Sequence, residues 1–160
     1  GEHSYTAFTM GGTRFVLLDC GEDKPDGTEV YYGMNDFTQY RKDQAQFLQT
    51  ELAGPEFTAA ARKVLIHHIP IYGNAVAKFN PCKELWQPHL AAAGFDVSLN
   101  GHLHRYELIE KGASENNFPV VIGGGYKEEN ATVMILKKTG ERLNLRVVHA
   151  KGNTLLNRDL

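Results

Sequence analysis

A chain of 160 residues is long enough for one domain with one sizeable core, and 42% hydrophobic against 22% charged residues is an ordinary globular composition. A formal charge of −2 gives no reason to expect non-specific binding to nucleic acid or acidic membranes. No window holds about 18 apolar residues, so no membrane-spanning helix is expected. The first residues carry no charged segment followed by an apolar one, so no signal peptide is expected either.

In chain order, residues 4–10 read as a strand, Gly11-Gly12 as a turn and residues 14–18 as a second strand. The run Phe15-Val16-Leu17-Leu18 lacks polar alternation, which suits a strand buried on both faces. Cys20 and Cys82 form no Cys-x-x-Cys pair and are expected to be buried free thiols. Residues 22–27, with Pro25 and Gly27, are a polar loop. Asp36 is placed to cap a helix running to about Ala53, with Phe37, Tyr40, Phe47, Leu48 and Leu52 as its buried stripe. Gly54-Pro55 stops that helix. Residues 63–66 are a strand and 69–80 a loop.

Residues 84–93 make a second helix with a break expected at Pro88, ended by Gly94, and residues 97–99 a strand. Residues 106–109, 120–122, 132–136 and 143–148 then read as strands joined by turns. The front half alternates strand and helix and the rear half is a meander. The expected fold is therefore layered α/β, with a mixed sheet and an antiparallel C-terminal meander. No internal repeat or low-complexity segment interrupts it, and the whole of 1–160 is expected to be one domain.

The histidines cluster. His67 and His68 end the strand 63–66, just before Ile69-Pro70, and His102 and His104 follow the strand 97–99 in Asn100-Gly101-His102-Leu103-His104. In an α/β sheet the carboxyl ends of adjacent parallel strands share one edge, where ligands bind. Neutral imidazole is a common ligand for zinc, iron and manganese-type ions. A His-x-His pair at a turning strand end can bracket such an ion, with Gly101 expected to supply unusual backbone angles. His3, His89 and His149 have no partner nearby in sequence and are read as surface or core residues. Asn130-Ala131-Thr132 is a formal glycosylation sequon.

The segments Val64-Leu65-Ile66-His67-His68-Ile69-Pro70-Ile71-Tyr72 and Asn100-Gly101-His102-Leu103-His104-Arg105-Tyr106-Glu107 resemble the last two metal motifs of the calcineurin-like metallophosphoesterases. The Gly-His-x-His-x-Tyr-Glu form is most similar to the purple acid phosphatase branch. Three further segments fit in order: residues 12–19, residues 46–52 and the glycine turn Val120-Val121-Ile122-Gly123-Gly124-Gly125. The resemblance implies that His102 and His104 each bind a metal. It implies the same for His68, two residues before the proline, with His67 as the alternative. Tyr106 and Glu107 match motif positions and are read as packing at the rim. It further implies a four-layer α/β/β/α sandwich, a phosphate ester substrate and two metal ions of Fe, Zn or Mn type. A secreted or periplasmic setting is compatible with it.

The family's earlier motifs, Asp-x-His, Gly-Asp-x-x-Asp or -Tyr, and Gly-Asn-His-Asp or -Glu, do not occur in the sequence. Two dications about 3.5–4 Å apart need a bridging anion that neutral histidines cannot supply. Asp19 and Asp96 stand where structural caps are expected. The chain is accordingly expected to be the C-terminal portion of a metallophosphoesterase catalytic domain without its upstream metal-binding half. The parent would hydrolyse phosphoric esters with metal-activated water, while this portion would be inactive and hold at most one weakly bound ion. A degenerate interaction domain and a mononuclear three-histidine hydrolase are the rival readings. Tyr72, Asn74, Tyr126 and Lys127 are candidate pocket-lining residues.

Overall fold

The computed structural model describes residues 3–73 and 78–160; Asn74 lies outside them. Strand β1 (Thr6–Met10) turns at Gly11-Gly12 into β2 (Thr13–Leu18), to which it pairs antiparallel. A loop and a short 3-10 turn, Glu29–Tyr31, lead to helix α1 (Phe37–Ala53). Helix α2 (Pro55–Ala59), strand β3 (Arg62–His67), helix α3 (Pro81–Leu90) and strand β4 (Val97–Asn100) follow. The remaining strands are β5 (Glu107–Ile109), β6 (Val120–Ile122), β7 (Thr132–Thr139), β8 (Arg142–His149) and β9 (Thr154–Asp159).

The first sheet has the order β1-β2-β3-β4-β6-β5, and the second has the order β7-β8-β9. Strands β2, β3, β4 and β6 are parallel, with antiparallel β1 and β5 at the two edges. Side-chain alternation along these strands splits the core in two. Val16, Leu18, Leu65, Val120 and Ile122 pack against Leu48, Phe57, Trp86 and Leu90 of the helices. Phe15, Val64, Val97, Leu99 and Val121 pack against Leu143, Leu145 and Val147 of β8. The layers therefore run helices, mixed sheet, antiparallel meander. Both faces of β2 are covered, as the unbroken apolar run required. No helix among the described residues is long and apolar enough to cross a membrane. Both cysteines are buried and unbridged.

Several expectations need correction. Strands β5 and β6 complete the mixed sheet and do not join the meander, whose third member is instead β9. Helix α3 begins earlier, at Pro81, where the Asn80 side chain accepts a hydrogen bond from Lys83 N at 3.2 Å, and it continues through Pro88 without a break. In α1 the most deeply buried residues are Arg41, Gln44 and Leu48, while Phe37, Tyr40, Phe47 and Leu52 are half-buried. The reason is what the helix covers. Gln44 Oε1 accepts from Asp19 N at 2.8 Å and its Nε2 donates to Asp19 O at 2.6 Å. Arg41 donates through Nε to Cys20 O at 2.9 Å and through Nη2 to Glu22 O at 2.7 Å. The chain leaving β2 has no strand partner for these groups, and buried backbone polar groups need one.

The N-terminus of α1 is also capped differently. Asp36 makes no side-chain capping bond. Asp26 reaches across instead, its Oδ2 accepting from Thr38 N at 2.8 Å and Thr38 Oγ1 at 2.7 Å. The Thr38 hydroxyl holds the Asp26 carboxyl below its ordinary range, with help from backbone N–H groups and Arg41. Replacing the true cap should cost about 1 kcal/mol, and a solvent-facing substitution about 0.5 kcal/mol or less. Urea unfolding should therefore show Asp26→Ala losing about 1 kcal/mol and Asp36→Ala almost nothing; equal losses would refute this assignment of the cap.

Candidate functional site

Parallel pairing brings four strand ends to one edge. Leu18 is opposite His67, Ile66 opposite Leu99, and Asn100 opposite Ile122. The ladder continues one step past the strands, where Gly101 N donates to His68 O at 2.9 Å. The segments after β2, β3, β4 and β6 therefore emerge side by side, and three of them carry the histidine motifs and the glycine turn.

His67 and His68 separate by strand alternation. His67 is in phase with Leu65 and points into the helix-side core. Its Nδ1 lies 2.9 Å from Ile69 O and 3.0 Å from Asn100 Nδ2, and its Nε2 lies 3.3 Å from Ser98 Oγ. The indole of Trp86 meets the ring edge-on. His68 is exposed at the sheet edge, and its ring is 5.5 Å from that of His102, nearly perpendicular to it. It is thus His68, rather than His67, that stands beside the His-x-His segment. Partial desolvation against the sheet edge holds the His68 imidazole below its ordinary value, reinforced by His102 and His104 and opposed by Asp19 and Glu22. That favours the neutral form, which is the form that ligates metals.

Gly101 is needed for room, since a Cβ there would come within 3.0 Å of His68 Nδ1. The unusual backbone angles belong instead to the histidines, with φ of 69° at His102 and 54° at His104. Left-handed conformations of this kind cost a non-glycine residue about 1 kcal/mol or more each. Gly125 backs the second of them closely: a Cβ there would lie 2.8 Å from His104 Cβ.

His104 turns toward a different wall. Its ring meets Tyr126 edge-on at 5.5 Å, and Asn130 Nδ2 donates to its carbonyl at 2.7 Å. It opens onto a shallow cavity of about 250 Å³ that Tyr126, Lys127 and Glu129 also line. Two of the expected pocket residues, Tyr126 and Lys127, are therefore beside His104. Tyr72 is not: it is buried against Phe118 in the core, and burial pushes its phenol up to about 12. The sequon residue Asn130 is half-buried, its amide used on His104.

The carboxylates divide as follows. Asp96 accepts from Arg62 at 2.9 Å and from Lys63 N at 2.7 Å, tying β3 to the turn before β4. Asp19 accepts from Gly21 N at 2.9 Å and bonds the hydroxyls of Ser4 and Tyr40. Tyr106 is half-buried against the inter-sheet core, and Glu107 pairs with Arg105 at 3.2 Å. Asp23, in the polar loop after β2, has its Oδ2 3.7 Å from His102 Nε2. Motif spacing gives no reason to single it out. The usable signal was its position in the loop after a buried strand whose parallel neighbour ends in histidines.

As the side chains stand, no three His, Cys, Asp or Glu groups among the described residues are gathered to hold a metal ion. His68 and His102 are a partial donor set of the right chemistry: two imidazoles at one edge, the first biased to its neutral form. His104 is close enough to depress His68 but is directed at Tyr126.

No protein-family model matches the chain. Over 137 residues, 81% of the chain, it is 26% identical to purple acid phosphatase 15 of Arabidopsis thaliana, and it covers 23% of that protein. In fold it is similar to GAP50, the anchor in the inner membrane complex of Plasmodium, with a TM-score of 0.57, 16% identity and coverage of 99% of this chain and 53% of that one. A conserved protein of Streptococcus pneumoniae, a predicted phosphoesterase, overlaps more loosely, with a TM-score of 0.35 and 7% identity over 91% of this chain and 95% of that one. The chain thus spans about half the length of GAP50 and under a quarter of the plant phosphatase. In sequence it resembles part of a metallophosphoesterase of the purple acid phosphatase branch.

Proposed function

We propose that the chain is the C-terminal, histidine-bearing portion of a phosphoesterase catalytic domain, acting on phosphate esters in a longer parent polypeptide. The observation that carries this reading is the meeting of His68 and His102 at the shared end of parallel strands β3 and β4. The sequence likeness to a purple acid phosphatase supports it. His68, His102 and His104 would be this portion's contribution to a two-metal centre of Fe, Zn or Mn type. When bound, such ions supply the charge that activates water and stabilises the phosphoryl oxygens.

The chain's own residues have a positioning task. The strand ladder fixes His68 relative to His102, and the glycine turn leaves room for His104. The buried bonds around His67 and Asn100 hold the floor beneath them. This portion alone supplies no bridging carboxylate by motif, so it should not turn over substrate.

The test compares hydrolysis of p-nitrophenyl phosphate by the 160-residue chain and by the chain extended with the coding sequence upstream of residue 1, each with zinc, iron or manganese. The short chain should stay well below about 1 s⁻¹, a modest enzymatic rate. The extended polypeptide should be active and lose at least about a hundredfold in His102→Ala. Faster turnover by the short chain would overturn the partial-site reading. An inactive extended polypeptide would favour a non-catalytic interaction domain.

The two adjacent histidines should also separate by stability. His67→Ala removes a buried, hydrogen-bonded ring and should lower the unfolding free energy by about 2–4 kcal/mol. His68→Ala, at the exposed edge, should change it by about 0.5 kcal/mol or less. Chemical unfolding of both variants checks this, and the reverse order would show the pair exchanged.

A further inference from the structure

The sequon Asn130-Ala131-Thr132 leads into β7, and both of its polar side chains are engaged within the chain. Asn130 Nδ2 donates to His104 O at 2.7 Å, and Thr132 Oγ1 accepts from Gly124 N at 2.7 Å. A carbonyl can only accept, so chemistry fixes which end of the Asn130 amide faces His104. The turn Gly123-Gly124-Gly125 is packed against both partners. A Cβ on Gly124 would come within 1.6 Å of Asn130 O, and one on Gly125 would lie 2.8 Å from His104 Cβ and 3.2 Å from Asn130 Oδ1. We propose that Asn130 and Thr132 are positioning residues that set the backbone of His104 and of the glycine turn beside it, so that the sequon is an internal clamp and not a glycan acceptor. This rests on the reading of His104 as a site residue and adds what aims it.

The clamp is anchored on one side by the meander. Ala131 O accepts from Ala150 N at 2.8 Å, which carries the ladder with β8 one step past the pairing of Thr132 with His149. Asn130 N and Ala131 N both donate to Lys127 O, at 3.0 and 2.8 Å, and close the turn between the glycines and β7. On the other side Gly123 N donates to Asn100 O at 2.8 Å, tying the same glycine turn to the end of β4. His104 is thus held between the two sheets through its own carbonyl. Its φ of 54° is left-handed, and the cost of that conformation is of the same order as the gain from one hydrogen bond. The Asn130 bond therefore decides whether residue 104 keeps this backbone, and the backbone directs the ring at Tyr126. A glycan is carried on Nδ2, the atom already bonded to His104, and is too bulky for a half-buried asparagine.

NMR and amide exchange on the 160-residue chain test the clamp, and kinetics on the extended polypeptide test its purpose. Asn130→Leu keeps the bulk of the side chain and removes the donor. It should lose the left-handed backbone couplings of His104 and the cross-relaxation between the His104 and Tyr126 rings, both present in the wild type. Thr132→Val should speed exchange of the Gly124 amide at least about fivefold, and Thr132→Ser, which keeps the hydroxyl, should restore its protection. The Gly101 amide, bonded to His68 O, should exchange at the wild-type rate in all three variants, which separates a local change from loss of the fold. Unchanged His104 signals in Asn130→Leu, or unchanged Gly124 exchange in Thr132→Val, would refute the clamp. In the extended polypeptide Asn130→Leu should lower kcat at least about tenfold with KM within about twofold, and a wild-type kcat would refute the positioning role. An extended polypeptide that is inactive from the outset fails the phosphoesterase reading instead, and the couplings still judge the clamp. Secreted from a glycosylating host, the folded wild-type chain should carry no glycan on Asn130; an occupied Asn130 in a folded chain would overturn the proposal.

Discussion

Parallel pairing of β2, β3, β4 and β6 is the constraint on which the rest depends. It forces four chain segments to leave the sheet in the same direction at the same edge. Antiparallel neighbours would have sent the segment after β3 and the segment after β4 to opposite ends, some 15–20 Å apart for strands of this length. Residues 68 and 102 would then share nothing. The helices between strands, α1 and α2 before β3 and α3 before β4, are what make the parallel order reachable, and they supply the core that buries one face of it.

Below that edge lies a layer of buried polar groups. Arg41, Gln44, His67, Ser98 and Asn100 are all buried, and each is bonded to backbone or to another member of the layer. Such groups are costly when unpaired and stiffening when paired. Here they join the end of β2 to α1 and the end of β3 to β4. The surface residues above them stand on a floor that cannot easily shift, which is what a ligand site on loops requires.

The sequence made the alternation of strand and helix legible, because short apolar runs separated by an amphipathic stretch and glycine turns have few other interpretations. It hid whatever was set by partners distant along the chain. Strand β9 is Thr154–Asp159, mostly exposed, and is a strand because β8 offers it an edge. Arg41 and Gln44 look like solvent-facing positions of α1 until the carbonyls beneath them are seen. Asp36 precedes the helix as a cap should, yet Asp26, twelve residues before Thr38, holds the bond. Within the site, the histidine positions were visible as motifs, and His68 was preferred to His67 from its place two residues before Pro70; the phase of β3 is what points the two apart. Asp23 has no signature beyond being acidic in a polar loop.

The left-handed backbone at His102 and His104 has an evolutionary consequence. At such positions glycine or asparagine is the unstrained choice, and either substitution would make the folded chain easier to reach. A lineage with no use for imidazole there would gain backbone stability by drifting to them, at the loss of the ring contacts with His68 and Tyr126. Two imidazoles are thus held at alternate positions where the backbone itself favours other residues. Each of the two positions costs the fold about 1 kcal/mol or more that a glycine would not, so the segment carries that local cost twice within three residues.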